Sequence, residues 1–242
     1  MEPSLYPQMA ALEKKHWWFS ARRTIIEHLL KKLNLPAQAK IFEAGCGTGG
    51  NLSLLSQYGQ VYAMELNNTA REFARQNTEA KIWAGSLPDD IPFEKEQFDL
   101  IVLFDVLEHL EKDSQALESL RTYLKPSGYL FITVPALPLL WSEHDERHHH
   151  YRRYLKKDLR QLVKNAGFKV TLASYFNCLL FPMVLAARYL HRFSKKTHDD
   201  LTLPAPWLNG LLKTIFASER YLLNVMSLPI GVSLILLARK SL

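Results

Sequence analysis

The sequence has few cysteines, no tandem repeats and no long hydrophobic run. Its 242 residues include 2 cysteines, Cys46 and Cys178, so a disulfide framework of the kind that holds small secreted domains together is excluded. No unit of about 20 to 50 residues recurs, which excludes solenoid architectures. Charged residues occur throughout residues 1–34, a pattern that predicts no cleavable signal segment. We therefore expect free thiols and a reducing, cytoplasmic compartment.

The excess of positive over negative charge is also small. The 30 Lys and Arg residues outnumber the 24 Asp and Glu residues by 6, and no nucleic-acid-binding motif accompanies them, so no nucleic-acid partner is expected. Hydrophobic residues make up 48% and charged residues 22%, which excludes a mainly disordered chain. The length favours a single α/β domain over residues 1–242, with residues 1–35 as an N-terminal helical cap.

What the sequence does contain is an alternation of apolar strands and helical stretches. Residues 98–104 are almost continuously apolar, as in a central strand that is buried on both faces of a parallel sheet. Helical stretches separate the strands, which predicts parallel crossovers and a doubly wound α/β sheet. The predicted strands are residues 40–43, 60–65, 80–84, 98–104, 129–134 and 168–173, followed after an apolar stretch of about 55 residues by a seventh at 231–239.

Three glycines lie in the turn between the first strand and its helix, at Gly45, Gly47 and Gly49. Glycines in such a turn let the backbone adopt positive φ and approach a ligand closely. Glu65 ends the second strand, where a carboxylate can accept hydrogen bonds from a ribose diol. Together these features predict an adenosine-containing cofactor.

The glycine spacing leaves more than one function open. Gly45, Gly47 and Gly50 also fit the dinucleotide fingerprint, so an NAD-type oxidoreductase and a non-catalytic cofactor-binding subunit are alternatives. Glu43 precedes the first glycine by two residues. A carboxylate there would repel a pyrophosphate but could hold an ammonium group, which favours S-adenosyl-L-methionine.

Several motifs together resemble one enzyme family. They are Glu-Ala-Gly-Cys-Gly-Thr-Gly at 43–49, the acid Glu65, Phe-Asp-Leu-Ile at 98–101, Asp-Val-Leu-Glu-His at 105–109 and Leu-Lys-Pro-Ser-Gly-Tyr-Leu at 124–130. The set is similar to class I S-adenosylmethionine-dependent methyltransferases, and within them to the ubiquinone-biosynthesis-like O-methyltransferase branch, over residues 15–175 and the last ten. The resemblance implies a methyltransferase with a seven-stranded, mostly parallel sheet of order 3-2-1-4-5-7-6, whose last strand is antiparallel.

The resemblance also implies a cofactor site. Glu43, Gly45 and Gly47 would lie against the methionine part of the cofactor, Glu65 would hold the ribose, and Arg22 would pair with the methionine carboxylate, which an arginine fork suits. Many relatives have an aspartate beside adenine where this chain has Gly85-Ser86-Leu87. The full set of expected cofactor residues is Arg22, Glu43, Gly45, Cys46, Gly47, Glu65, Leu66, Ser86, Leu87, Phe104 and Asp105.

Two segments are candidates for the acceptor side. Asp105, Glu108 and His109 are spaced to share one helix face, where they would act as a base, hold a divalent cation as the resemblance implies, or only cap the helix. The polar segment 141–154 follows the fifth strand and predicts an acceptor lid rather than an exposed loop. The candidate catalytic residues are His144, His149 and His109, with Arg152 and Tyr154 orienting an anionic acceptor; a zinc site from His144, Asp145 and His148 is disfavoured and no metal ligand is assigned.

An apolar insertion, residues 177–227, separates the sixth and seventh strands. Its hydrophobic runs are shorter than the about 20 residues that a membrane span needs. We interpret it as a peripheral contact with the inner face of a membrane, which predicts a small-molecule or lipid-linked acceptor; a dimer interface or a hydrophobic lid is the alternative, and the oligomeric state is left open. The insertion combines a helical stripe of Leu208, Leu211, Leu212, Ile215, Leu222, Leu223 and Met226 with basic residues Arg188, Arg192, Lys195 and Lys196.

Overall fold

A computed structural model of the chain describes residues 5–191 and 202–241. The strands are β1 (Lys40–Ala44), β2 (Gln60–Glu65), β3 (Lys81–Ala84), β4 (Phe98–Phe104), β5 (Leu124–Pro135), β6 (Phe168–Phe176) and β7 (Ser233–Lys240). The helices are α1 (Leu5–Leu12), α2 (Trp17–Leu30), α3 (Leu52–Leu55), α4 (Asn68–Asn77), α5 (Asp113–Tyr123), α6 (Glu143–Arg147), α7 (Lys156–Asn165), α8 (Phe181–His191) and α9 (Pro206–Leu222). Short 3-10 turns occupy Leu107–His109 and Pro138–Leu140.

The strands form one seven-stranded sheet of order β3-β2-β1-β4-β5-β7-β6. β1 pairs in parallel with β2 and β4, whereas β7 runs antiparallel between β5 and β6. The predicted strand order and the predicted antiparallel last strand are confirmed. Because the strand order reverses between β1 and β4, the crevice at the carboxyl ends of these two strands is where a ligand is expected.

Strand ends differ from the sequence prediction where pairing extends beyond the apolar runs. β5 begins at Leu124 rather than at residue 129, because Leu124 already pairs with Phe98 and the register shifts at this point. β6 continues to Phe176, which pairs with Ser233 at the start of β7. The predicted 80–84 strand is shorter by one residue at its start, at Lys81.

The N-terminal aromatic segment ties α2 to the insertion. His16 caps α2 by accepting a hydrogen bond from the Trp18 amide. The Trp17 amide donates to the Asn209 side chain of α9 at 2.9 Å, and the Trp17 ring packs edge-on against Phe216. The insertion is therefore packed against the helix that carries Arg22.

The predicted apolar stripe of the insertion is split between the core and solvent. Leu212 and Leu223 are buried and join the core, whereas Leu211 is 49% exposed. The Glu219 carboxylate is buried and accepts the amides of Cys178 and Leu179 at 2.7 and 2.8 Å, which fixes the start of the insertion to α9. Half of the stripe therefore stabilises the fold instead of facing outward. The basic residues Arg192, Lys195 and Lys196 lie outside the described residues.

An apolar face of α9 points away from the core. Trp207 is 72% exposed, and Val225, just beyond the helix, is 86% exposed. On α8, Met183 is 47% exposed. Within residues 5–191 and 202–241, no helix is both long enough and apolar enough to cross a bilayer.

Phe216→Ala tests whether the insertion is part of the core. The Phe216 ring is fully buried and stacks on Phe176 at 5.7 Å between ring centroids, so its truncation should lower the free energy of unfolding by about 3 to 5 kcal/mol. Leu211→Ala, on the exposed side of the same helix, should change it by less than about 0.5 kcal/mol. Urea denaturation measures both; equal small effects would contradict the packing of α9.

Candidate active site

The glycine loop after β1 is shaped by three positive φ angles, +78° at Gly45, +53° at Gly47 and +87° at Gly49. A Cβ at Gly45 would lie 2.8 Å from Val106, and one at Gly49 would lie 3.1 Å from Ala74. At Gly47, by contrast, no atom of the described residues lies within 4 Å of a built Cβ. The first and third glycines are therefore required by packing, and Gly47 faces open space beside the loop.

Glu65 closes this loop from the end of β2. One carboxylate oxygen accepts the Gly47 amide at 2.9 Å and the other accepts the Asn67 amide at 2.9 Å. Asn67 in turn caps α4. The carboxylate is thus held rigidly, and each of its oxygens retains a lone pair for a further donor. The neighbouring Leu66 is exposed.

Glu43 lies beneath the loop at the end of β1 and is buried. One of its oxygens accepts the Asn51 side-chain amide at 3.0 Å, and no described residue donates to the other, Oε2. Burial raises the pKa of Glu43 to about 8, against the smaller opposing effects of Asn51 and Arg22. A buried oxygen without a donor is costly unless a ligand supplies one.

Glu13 lies against Gly50, a contact that no motif in the sequence indicates. A Cβ at Gly50 would lie 2.6 Å from a Glu13 carboxylate oxygen, so the last glycine of the dinucleotide spacing accommodates a protein carboxylate. Glu13 is buried, and burial raises its pKa. An acidic group beside the loop disfavours a pyrophosphate there.

Arg22 reaches the same crevice from α2. Its guanidinium lies over the Trp18 ring, 4.7 Å from the centroid, and donates to the Asp105 carboxylate. Burial lowers the pKa of Arg22 to about 10, with Arg23 adding to the effect. Its expected pairing with a methionine carboxylate stays a prediction; within the protein its partner is Asp105.

The prediction that Asp105, Glu108 and His109 share one helix face is wrong. Asp105 adopts a positive φ of 59°, and a 3-10 turn over Leu107–His109 follows. Asp105 therefore turns back toward β5, where it accepts the Thr133 hydroxyl at 3.1 Å.

Glu108 and His109 instead meet His150, which sequence reasoning did not single out. One ligand atom from each of the three lies within 4.8 Å of the others. Glu108 is buried, no described residue donates to either of its carboxylate oxygens, and burial raises its pKa to about 8. We call these three residues the Glu108 cluster.

The segment 141–154, the lid, is organised around Asp145, which is completely buried. The carboxylate accepts His150 Nδ1 at 2.9 Å, Arg153 Nε at 2.8 Å and the Ser142 amide at 2.9 Å. Burial opposes ionisation here, but the bonds from His150 and Arg153 hold the pKa of Asp145 well below its usual range.

Arg152 and Tyr154, which are expected to orient an acceptor, both bind Asp113 within the protein. Arg152 Nη1 donates to Asp113 at 2.9 Å, and the buried Tyr154 hydroxyl donates to the same oxygen at 2.8 Å. These contacts hold the lid against the start of α5, and the acceptor-orienting roles stay predictions.

The lid histidines differ in their surroundings. His144 and His148 stack with ring centroids 4.1 Å apart, and burial lowers the pKa of His144 to about 4. With Asp145 bound to His150 and Arg153, the zinc site drawn from these residues is not formed. His149 is exposed, at a turn with φ of 55°. The catalytic roles of His144, His149 and His109 stay predictions.

The remaining predicted cofactor residues lie at or just after the carboxyl ends of β1, β3 and β4. Phe104 is buried at the end of β4, edge-on to Phe131, and Ser86 is half-buried in a backbone bridge with Asp90, beside the half-buried Leu87. Cys46 is a buried free thiol, and burial raises its pKa.

A family model described as a methyltransferase domain matches residues 16–173, more than half of the chain. The chain belongs to this methyltransferase family. The assignment identifies the protein as a class I S-adenosylmethionine-dependent methyltransferase and decides against the oxidoreductase and the non-catalytic subunit that the glycine spacing left open.

Known proteins similar to this methyltransferase differ in length and role. A ubiquinone biosynthesis O-methyltransferase of Xanthomonas axonopodis is 25% identical over 67% of this chain and 79% of its own length. A bifunctional biotin biosynthesis protein of Cellvibrio japonicus is 27% identical over 72% of this chain, which spans only 36% of that protein. Among solved structures, one similar fold is found in a complex between the Trm112 methyltransferase activator of Haloferax volcanii and a methyltransferase. It superposes on this protein with a TM-score of 0.65 at 16% identity, and the match covers 99% of this protein and 95% of the solved chain.

The residues of the methyltransferase crevice fit its cofactor. An ammonium group would supply the donor that Glu43 Oε2 lacks among the described residues, and ribose hydroxyls would use the free lone pairs of Glu65. Open space at Gly47 leaves room for the ligand between them. When bound, the cofactor supplies an electrophilic methyl group on a sulfonium.

Gly47→Ala should separate folding from cofactor binding. Its Cβ meets no described atom, so the cost to folding is the left-handed φ, about 1 kcal/mol, whereas the methyl group enters the ligand space. We expect at least tenfold weaker binding of S-adenosylhomocysteine by calorimetry with a cooperative melt retained. Gly210→Ala, at an open position on α9, is the matched control and should bind as the unchanged protein does; equal affinities in both variants would contradict this geometry.

Cofactor binding should release a proton from Glu43. Its pKa of about 8 means that it is mostly protonated at pH 7, and a bound ammonium would lower that pKa. Affinity should therefore increase as pH rises toward 8 and then level off. Calorimetry in buffers of different ionisation enthalpy should detect close to one proton released at pH 7.

Glu43→Gln should abolish this release. Glu219→Gln, which alters a buried carboxylate of raised pKa away from the crevice, should keep it. Release that persists in Glu43→Gln would assign the proton to another group.

Proposed function

We propose that this enzyme methylates an oxygen of a hydrophobic or lipid-linked acceptor at the inner face of a membrane. The observation that carries the proposal is the exposed apolar face of α9, on a helix that packs against the Arg22-bearing α2. A small-molecule acceptor is the coarser statement that the family supports; the lipid character rests on the insertion.

The exposed face follows helical spacing. Trp207, Leu211, Leu222 and Val225 are separated by 4, 11 and 3 positions, which brings them to one side of α9 and its C-terminal extension. Exposed aromatic and aliphatic residues on one helix face are typical of helices that lie in a membrane interface. Single exposed leucines need no such explanation. Here the exposed apolar residues form two pairs, each about one turn apart, and Thr214 and Ser218 lie between the pairs on the same side of the helix.

The helix that carries the exposed face contacts the segment that covers Arg22. Trp17 contacts both Asn209 and Phe216 of α9, and Trp18, the next residue, covers the Arg22 guanidinium. An acceptor held at α9 by an apolar tail would therefore lie beside α2, the helix that carries Arg22. This favours an acceptor with an apolar tail and a reactive polar end.

Oxygen is the favoured acceptor atom because of the Glu108 cluster. A carboxylate and two imidazoles suit a divalent transition-metal cation such as Mn²⁺ or Fe²⁺, and the unpartnered oxygens of Glu108 within the described residues fit such a ligand role. Held there, a cation would lower the pKa of an acceptor hydroxyl. The similarity to a ubiquinone biosynthesis O-methyltransferase supports this reading.

Incubation with methyl-labelled S-adenosylmethionine and two cell extracts tests the acceptor. Label should enter the chloroform-soluble extract and not the aqueous one, and mass analysis should find a methyl ether or ester. Label in water-soluble products alone would overturn the lipid-linked acceptor, and a methylated amine would overturn the acceptor atom. In parallel, the protein should float with vesicles of mixed zwitterionic and anionic phospholipid.

The triple variant Trp207→Ser, Leu211→Ser, Val225→Ser should no longer float with the vesicles but should still bind S-adenosylhomocysteine. Leu139→Ser removes a leucine that is 74% exposed outside the insertion and should leave flotation intact. Flotation of the triple variant at the original level would refute membrane contact through α9.

A further inference from the structure

A side chain of the insertion, that of Arg188, contacts the lid. Arg188, on α8, donates through Nη1 to the Leu140 carbonyl and to the Ser142 hydroxyl, the latter at 2.9 Å. The same nitrogen lies 3.9 Å from Asp145 Oδ2. A residue of the insertion thus contacts the N-terminal end of the lid, more than forty positions earlier in the chain.

Asp145 transmits this contact to the Glu108 cluster. Its Oδ2 accepts the Ser142 amide at 2.9 Å, on the side of Arg188, and its Oδ1 accepts His150 Nδ1 at 2.9 Å. With Nδ1–H donating to a carboxylate, Nε2 is the nitrogen of His150 that keeps a lone pair for a ligand. Asp145 therefore selects both the orientation and the tautomer of His150.

Arg153 alone does not fix the carboxylate completely. Its Nε donates to Oδ1 at 2.8 Å, the same oxygen that His150 uses. The Oδ2 oxygen of Asp145 accepts hydrogen bonds from Ser142, and Arg188 donates a hydrogen bond to the Ser142 hydroxyl. Without Arg188, the Ser142 end of the lid loses its tie to α8, and the Ser142 amide and hydroxyl that bond Oδ2 lose that support.

We propose that Arg188 is a positioning residue that, through Ser142 and Asp145, holds the His150 ring toward His109 and Glu108. The inference rests on the proposed function only in giving His150 a ligand to bind. If Arg188 has this role, the geometry of the Glu108 cluster depends on the insertion, because a movement of α8 changes the position of the His150 ring. Met183 and Leu185 of α8 are exposed. Contact of α8 with a hydrophobic surface would then regulate the reacting centre.

Arg188→Gln tests the inference by a spectroscopic readout that a loss of stability alone would not give. Long-range ¹H–¹⁵N spectra of histidine-labelled protein should show His150 as the Nδ1–H tautomer in the unchanged protein and as a mixture in Arg188→Gln. Hydrogen exchange of the lid amides should accelerate about tenfold in the variant. Arg188→Lys should restore much of the single tautomer, since an ammonium can still bond Ser142. Arg160→Gln, on the exposed side of α7, should behave as the unchanged protein does.

Mn²⁺ calorimetry separates this inference from the proposed cation site. We expect Mn²⁺ to bind the unchanged protein and to bind Arg188→Gln about tenfold more weakly, as for other partners that orient a ligand. If Mn²⁺ does not bind the unchanged protein but the tautomer changes in Arg188→Gln, the cation proposal fails and the positioning role stands. An unchanged tautomer and unchanged lid exchange would overturn the positioning role.

If Arg188→Gln does not fold, Ser142→Ala, which removes only the hydroxyl in the relay, must give the same changes or the inference fails.

Discussion

Burial of carboxylates beside arginines, at the carboxyl edge of the sheet, is the constraint on which the site depends. Arg22 faces Asp105 and Arg153 faces Asp145, so two of the acids are neutralised within the protein. Glu43 and Glu108 are not: among the described residues, three of their four oxygens have no donor. Such burial costs free energy, which a donor or a cation from a bound ligand would offset.

The sheet could be predicted from the sequence because its signals are local. A continuous apolar run marks β4, and glycines with a distal acid mark the β1 loop and the end of β2. The Glu13 contact with Gly50 and the approach of His150 to His109 could not be predicted, since each joins residues more than thirty positions apart. The error at Asp105 has a different origin: helical spacing was assumed where a positive φ ends the regular backbone.

The apolar residues of α9 show why an amphipathic pattern alone does not decide what a helix contacts. They recur at helical spacing, but they occupy two different sides of the helix. Leu212, Phe216 and Leu223 are used for packing, and Trp207 and Leu211 remain outside. Burial of one face against α2 fixes the direction of the other, so the core of the insertion determines which surface it offers to its surroundings.

The position of β7 in the sheet has a consequence for how the chain is made. β7 lies between β5 and β6, yet it is translated after both and after the entire insertion. During translation β6 therefore has no neighbouring strand until β7 is made. The apolar helices α8 and α9 emerge before the sheet is complete. During this interval an unpaired edge and two hydrophobic helices are exposed together, so the nascent chain is most prone to aggregation, and most in need of a chaperone, late in its synthesis.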